Sequence, residues 1–312
     1  MTQAAEIQAD SARPIESVAG KRSDDGPRHG LSMQRFVWAA VLALVGVLVA
    51  IEPWSDIYAL GSRDEEASHV FLVPFVVAWL VWARRRRLRF ATATNQWVGT
   101  AMVLAGWLAL YFGETKLWQS VWHFGAILIA VGCFITVTGA SIIRLFLPAF
   151  LVLIFLIPVP GRLRQQIAIP MQNATAHITE SMCEVVGIPI VRSGNLLTVN
   201  GNDVAIAEAC NGLRMVFALS LVCYAFAFGN PLRFYARVLI LAATPFAAVA
   251  CNVIRLVPTV YFYGYHPASV ADAFHDISGW VMIFVAFLCL MGILRLLKWA
   301  MIPVYKFNLA YD

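Results

Sequence analysis

Three residues far apart in the chain carry side chains suited to acyl transfer from a peptide: Cys210, Arg255 and His275. A cysteine is a nucleophile as its thiolate. The surrounding pattern puts Cys210 near the start of a helix, where the partial positive charge favours an anion. His275 can take or return a proton near neutral pH. Arg255 does not lose its charge, so it suits a thiolate or the oxyanion of a tetrahedral intermediate. Asn252 lies one helical turn before Arg255 on the same face and could orient it or donate to the same oxygen. Arg214, four residues after Cys210, is placed to face the site too. Glu208 caps a helix or pairs with Arg214.

Each of these residues alone fits a plainer role. Cysteine is among the most buried residue types, and an arginine near a membrane edge snorkels to the interface. A lone histidine there is usually an interfacial hydrogen-bonding group. Asp272, His275 and Asp276 share one helical face and, with His266, suggest a metal, yet no thiolate or third histidine on that face completes a first shell. No metal and no cofactor is therefore expected. His69, His123 and His177 read as structural. The weight lies in the joint placement of the polar residues, which depends on the elements that carry them.

Those elements are membrane helices. Of 312 residues, 60% are apolar and 13% charged, against about 25% charged in soluble domains. The apolar residues gather in runs of roughly 17–25, the length that crosses about 30 Å of hydrocarbon. Segments such as Phe36–Ile51 and Val238–Cys251 lack the polar stripe of a soluble amphipathic helix. The net charge of +5 does not indicate nucleic acid, because the basic residues flank the apolar runs instead of forming one stripe with interleaved aromatics. The reading is an all-α, polytopic transmembrane bundle of about eight spans: 36–52, 67–83, 97–113, 119–138, 142–159, 212–229, 238–260 and 277–297. Glycine and proline interrupt the third to fifth, which are the least sharply bounded. The first run has no small-residue cleavage site and reads as a retained signal anchor.

Charge sets the orientation. The run Arg84–Arg89 ends the second span and belongs in the cytoplasm. Cytoplasmic segments then hold 16 of the 23 Lys and Arg, and 12 of the 18 acids fall outside. This orientation, drawn without reference to a site, puts Cys210, Arg255 and His275 at one membrane face and similar depth. Polar groups in membrane helices are costly and call for a reason.

The long outer connection, 160–208, is expected to be ordered. Residues 162–186 have helical apolar spacing that fits an amphipathic helix at the membrane surface, kinked or restarted at Pro170. Beyond Pro189, short apolar stretches around Asn200-Gly201-Asn202-Asp203 read as a hairpin. A disulfide between Cys183 and Cys210 is conceivable on the outer face. Four of the six cysteines sit in apolar runs, and no pair has zinc or redox spacing. The first 32 residues read as a disordered cytoplasmic tail, residues 33–300 as the membrane domain and 301–312 as a cytoplasmic C-terminal tail.

The motifs Glu208-Ala209-Cys210-Asn211-Gly212-Leu213-Arg214, Asn252-x-x-Arg255 after Pro245, and His275-x-x-x-Gly279-Trp280 resemble those of the exosortase/archaeosortase family, in order, spacing and membrane context. Asn211 departs from the serine many members carry. The resemblance implies a bacterial-type exosortase, with catalytic Cys210, Arg255 and His275 and with Asn252, Arg214 and Glu208 in support. It implies a multi-pass protein of the bacterial inner membrane whose site faces outward. Its partners would be secreted proteins ending in a recognition motif, a transmembrane helix and a basic tail, cleaved through a thioester. A transporter or an export-system component without peptidase activity is the alternative. A transporter predicts inverted repeats and a site at the bilayer midplane, and no repeat is visible.

Overall fold

The structure is a computed structural model in which residues 31–205 and 212–299 are described. It is almost wholly helical, with one small sheet. Helix α1 (Met33–Val49) breaks at Ala50 and continues as α2 (Ile51–Arg63), bent by 80°. A 3-10 segment (Glu65–Leu72) leads into α3 (Val73–Ala83), with Pro74 in its first turn, where a missing N–H costs nothing. After the arginine-rich turn Arg85–Phe90 come α4 (Trp97–Thr115), α5 (Gln119–Thr138) and α6 (Ser141–Leu151), the last continuing as a 3-10 turn to Leu156. Helix α7 (Gly161–Val186) is turned 89° from that segment. Strands β1 (Ile190–Ser193), β2 (Leu196–Val199) and β3 (Asn202–Ala205) follow. The chain then forms α8 (Gly212–Gly229), α9 (Phe234–Tyr265) and α10 (Ala268–Trp299).

Among the described residues, four helical segments are long and apolar enough to cross a membrane: Glu66–Ala83, Trp97–Thr115, Gln119–Thr138 and Phe234–Tyr265. Counting each bent pair as one span makes six, and Leu213–Gly229 and Phe287–Leu296 are shorter apolar helices. The chain is a multi-pass membrane protein embedded in the bilayer.

Four apolar clusters hold the described residues together, the smallest around Ala50, Ala126 and Ile129. Residues of α2, α3 and α6 pack as one cluster that includes Ile57, Val73, Leu80, Phe146 and, from α8, Leu221. A second cluster joins α8, α9 and α10 through Met215, Leu219, Ile240, Cys251, Leu290 and Leu294. The third seats the sheet on α7 and α9, with Leu197, Val199 and Val204 against Ala176, Leu256 and Val260.

The glycines that blurred the span boundaries turn out to be a packing surface. Gly99, Gly106 and Gly113, seven apart, lie along the buried side of α4. A Cβ on Gly106 would stand 2.7 Å from the carbonyl oxygen of Gly125 on α5, and one on Gly132 would stand 2.8 Å from that of Gly99. Lipid offers no hydrophobic drive for helix association, so such close backbone approach is a main source of attraction.

The outer connection differs from expectation in two ways. Helix α7 runs through Pro170 without interruption. It stops at Gly187, whose φ of 83° lets the last turn close, with Ile188 N–H donating to Cys183 O at 2.8 Å. The hairpin is a three-stranded antiparallel meander in the order β1-β2-β3. Its second turn, Asn200-Gly201, has positive φ at both residues, the type I′ geometry that matches strand twist. Asn200 and Asn202 also donate to the carbonyls of Gly264 and Tyr263, which fixes the sheet to the end of α9. Arg192 of β1 donates to Glu180 of α7 at 2.7 Å and holds that carboxyl below its ordinary range. Cys183 is a free, buried thiol, and Cys210, the other half of the expected disulfide, lies outside the described residues.

Candidate active site

Helix α9 has 32 residues, about 48 Å at 1.5 Å per residue, well beyond what the hydrocarbon requires. It carries the first two polar residues of the site. Arg255 is 9% exposed and Asn252 1%, and Arg255 Nη2 donates to Asn252 Oδ1 at 3.3 Å. They sit one turn apart, so the amide steadies the guanidinium as the Asn-x-x-Arg spacing suggests. The hydroxyl of buried Thr259 donates to the carbonyl of Arg255 at 2.8 Å, adding a local hydrogen bond just after Pro258, a residue with no N–H of its own to give.

Helix α10 returns beside α9 after the two-residue link His266-Pro267. Arg255 lies ten residues before the end of α9, and Gly279 eleven residues into α10. Each is about 15 Å from the link at helical rise, which brings them level. A Cβ on Gly279 would stand 2.7 Å from Arg255 Nη1. The guanidinium thus rests on the bare backbone of α10. His275 lies one turn earlier on the same face of that helix. Its side chain is 17% exposed, and its Nδ1 is 3.1 Å from Asp276 Oδ1. Donation from Nδ1–H to that carboxylate leaves Nε2 as the basic nitrogen. Ser278 Oγ donates to the carbonyl of His275 at 3.0 Å.

Helix α8 supplies the third wall. From its far end at Gly229 to Gly212 is about 26 Å, and from Phe234 up α9 to Asn252 is about 27 Å, so the start of α8 reaches the level of Asn252. Arg214 stands half-buried in the first turn of α8. Cys210, Glu208 and Asn211 lie outside the described residues. Cys210 is two residues before Gly212, where α8 begins.

Among the described residues no group of three His, Cys, Asp or Glu side chains is disposed to hold a metal. Asp272, one of the acids on the His275 face, accepts from the Tyr263 hydroxyl at 2.6 Å.

The other histidines have partners that spacing did not disclose. His69 stacks on Phe217 of α8 with ring centroids 4.7 Å apart, and its Nδ1 is 2.8 Å from Glu66 O. Arg164 of α7 pairs with Glu66 and with Asp64 at 3.0 Å, beside the same segment. Fully buried His123 lies 2.9 Å from Asp56, which also accepts from Gln119. His177 is exposed, 3.6 Å from Glu180. The His69–Phe217, Arg164–Asp64 and His123–Asp56 contacts link elements remote in the chain, whereas His177–Glu180 is an i,i+3 pair within α7 that helical spacing allows.

Among the described residues a buried guanidinium, a buried amide and a histidine are thus gathered where α9 and α10 lie side by side. The model of the transmembrane exosortases matches residues 54–292, and the chain belongs to that family. The match runs from within α2 to most of α10 and spans the positions of all six site residues expected from the motifs. No curated protein and no solved structure matches the chain. Exosortases are membrane sorting transpeptidases of the cysteine type.

Proposed function

We propose that this chain is a cysteine transpeptidase or protease that removes the C-terminal sorting signal of secreted proteins, with Cys210, Arg255 and His275 as its catalytic residues. The observation that carries the reading is the seating of Arg255. Its guanidinium is held by Asn252 and pressed onto Gly279, one turn from His275, at the level where α8 begins. Cys210 lies just before that helix.

In the proposed reaction His275 Nε2 takes the thiol proton and the Cys210 sulfur attacks the substrate carbonyl carbon. Arg255 stabilises the oxyanion, with Asn252 steadying it and Arg214 and Glu208 in support. The C–N bond then breaks, the leaving amine takes the proton from His275, and a thioester remains on Cys210. Attack by water or an acceptor nucleophile on the thioester carbonyl, with its proton passing to His275 and on to the sulfur, frees the enzyme.

The substrates would be secreted proteins ending in a motif, a transmembrane helix and a basic tail. The proposed setting is the bacterial inner membrane with eight spans, both termini and Arg84–Arg89 in the cytoplasm, and residues 160–208 and the site outside. Residues 1–32 and 301–312 would be cytoplasmic tails on a membrane domain of 33–300.

The test is gel mobility of a co-expressed substrate carrying such a tail. Cys210→Ala is expected to abolish tail removal while the protein still inserts, because it removes the nucleophile and little volume. Normal tail removal by this variant at wild-type expression would exclude the cysteine mechanism. A reporter fused near Asn200 should report an extracytoplasmic position.

A further inference from the structure

A half-open cavity of about 460 Å³ lies in the first bundle, between α1, α3, α5 and α6. Its walls are apolar throughout. Phe36, Leu88 and Ile142 line one end, Phe146 and Val47 its length, and Trp54 the other end. Phe36 to Val47 is eleven residues of α1, about 16 Å of rise, close to the depth of one leaflet of a hydrocarbon core of about 30 Å. The cavity is thus one acyl chain deep and begins at a membrane face.

The charge around that end is one-sided. Leu88, a wall residue, is flanked by Arg87 and Arg89 in the turn that also holds Arg85 and Arg86, all four exposed. Exposed Arg35 adjoins Phe36 on α1, and exposed Arg144 follows Ile142 on α6. Among the described residues none of these six arginines forms an ion pair with a carboxylate, and no acid occurs from Ala83 to Gly113. Arg84 has a different job, donating to Phe228 O at 3.1 Å. The positive-inside rule explains why arginines lie at this face. It does not explain why Leu88, set between two of them, lines an apolar cavity one leaflet deep.

We infer that the cavity holds one acyl chain of an anionic glycerophospholipid, whose phosphate is bound by Arg85, Arg86, Arg87 and Arg89. The chain would cover apolar walls that the helices themselves leave unpacked. The guanidinium fork is the group best matched to phosphate oxygens. With the orientation proposed above, the lipid belongs to the inner leaflet, where juxtamembrane basic clusters meet anionic headgroups. The binding itself needs only that this end of the bundle lie at a membrane face. The same lipid would tie α1, α3 and α6 together on the side away from α8–α10.

The test is binding to the purified full chain in mild detergent, read by native mass spectrometry with phosphatidylglycerol and phosphatidylcholine of identical chains. Wild type should retain phosphatidylglycerol in preference. Each arginine near a membrane surface contributes roughly a fivefold preference for anionic lipid, so R86Q/R87Q/R89Q should cut the preference by about a hundredfold. Those three side chains are exposed, and the variant keeps Arg84 and Arg85. Ala130→Phe, which fills the cavity, should weaken both lipids together and leave their ratio unchanged. Equal binding of the two lipids, an unchanged ratio in the triple variant, or glycerol phosphate competing as well as the whole lipid would each overturn the proposal. So would a lipid-free dimer that Ala130→Phe dissociates, since a second copy would then be the occupant.

Discussion

Replacing Gly279 by alanine sets two effects against each other, and the contact with Arg255 decides which one is seen. In a helix interior glycine is worse than alanine by roughly 0.5–1 kcal/mol, so Gly279→Ala on its own should stabilise α10. At this position, however, the new methyl would stand 2.7 Å from Arg255 Nη1. Ordinary non-bonded contact begins near 3.5 Å, so the guanidinium has to retreat by about 0.8 Å. The backbone of α10 yields less readily than an arginine side chain, and the Asn252 bond, already 3.3 Å, has little room to lengthen. Misplacing a catalytic group by about 1 Å costs roughly a hundredfold in rate, and losing one oxyanion donor costs about 10²–10³. Gly279→Ala is therefore expected to insert normally, melt at or slightly above the wild-type temperature in detergent, and remove the substrate tail about a hundredfold more slowly. Single-turnover cleavage of a purified tailed substrate, followed on gels, separates this from poor expression. Wild-type cleavage by Gly279→Ala would refute the seating of Arg255 on α10 as a catalytic requirement.

The remaining predictions are of different kinds. Arg255→Lys should fail nearly as badly as Arg255→Ala in the same cleavage assay, because a point charge cannot reproduce a planar fork held by Asn252 on one nitrogen and resting on Gly279 with the other. Gly106→Val should lower the melting temperature, by an amount corresponding to about 1–3 kcal/mol of overpacking. Gly292→Ala should not, since nothing lies within 4 Å of a Cβ there. Glu180 has its carboxyl pK lowered by the hydrogen bond from Arg192. The attachment of β1 to α7 should thus be intact above the ordinary glutamate range, about pH 4.3, and weaken as pH falls through the lower folded value. Hydrogen exchange of residues 190–199 measures this, and Arg192→Ala should remove the dependence.

The membrane class is legible in the sequence because long apolar runs without a polar stripe have little use outside a bilayer. The candidate site stands out in the sequence because polar groups in such runs are costly. Arg255 and Asn252 pair as their spacing alone suggests, since helix geometry fixes what lies one turn away. What spacing could not show was anything set by two elements at once. The heptad of Gly99, Gly106 and Gly113 looks like interruption, because a glycine lowers helix propensity in isolation and reveals its use only when α5 lies against it. A kink or a restart is expected at Pro170, and α7 does not restart there but is continuous through it. The contact between Arg255 and Gly279 requires α10 to return level with α9, which the short link His266-Pro267 permits but does not announce. His69 meets Phe217, and His123 meets Asp56, across 148 and 67 positions of chain.

The glycine ladder between α4 and α5 also bears on how the protein is made. Only Lys116, Leu117 and Trp118 separate the two helices, so they emerge from the ribosome as neighbours. Their mating surfaces are bare backbone and need no third helix to complete them. Close packing of this sort works in lipid before any larger core exists. The pair can therefore leave the insertion machinery as a finished hairpin, its register fixed by teeth seven residues apart. It would then serve as a rail on which α1 settles, while α8, α9 and α10, the first of which begins 74 residues after α5 ends, have yet to be made.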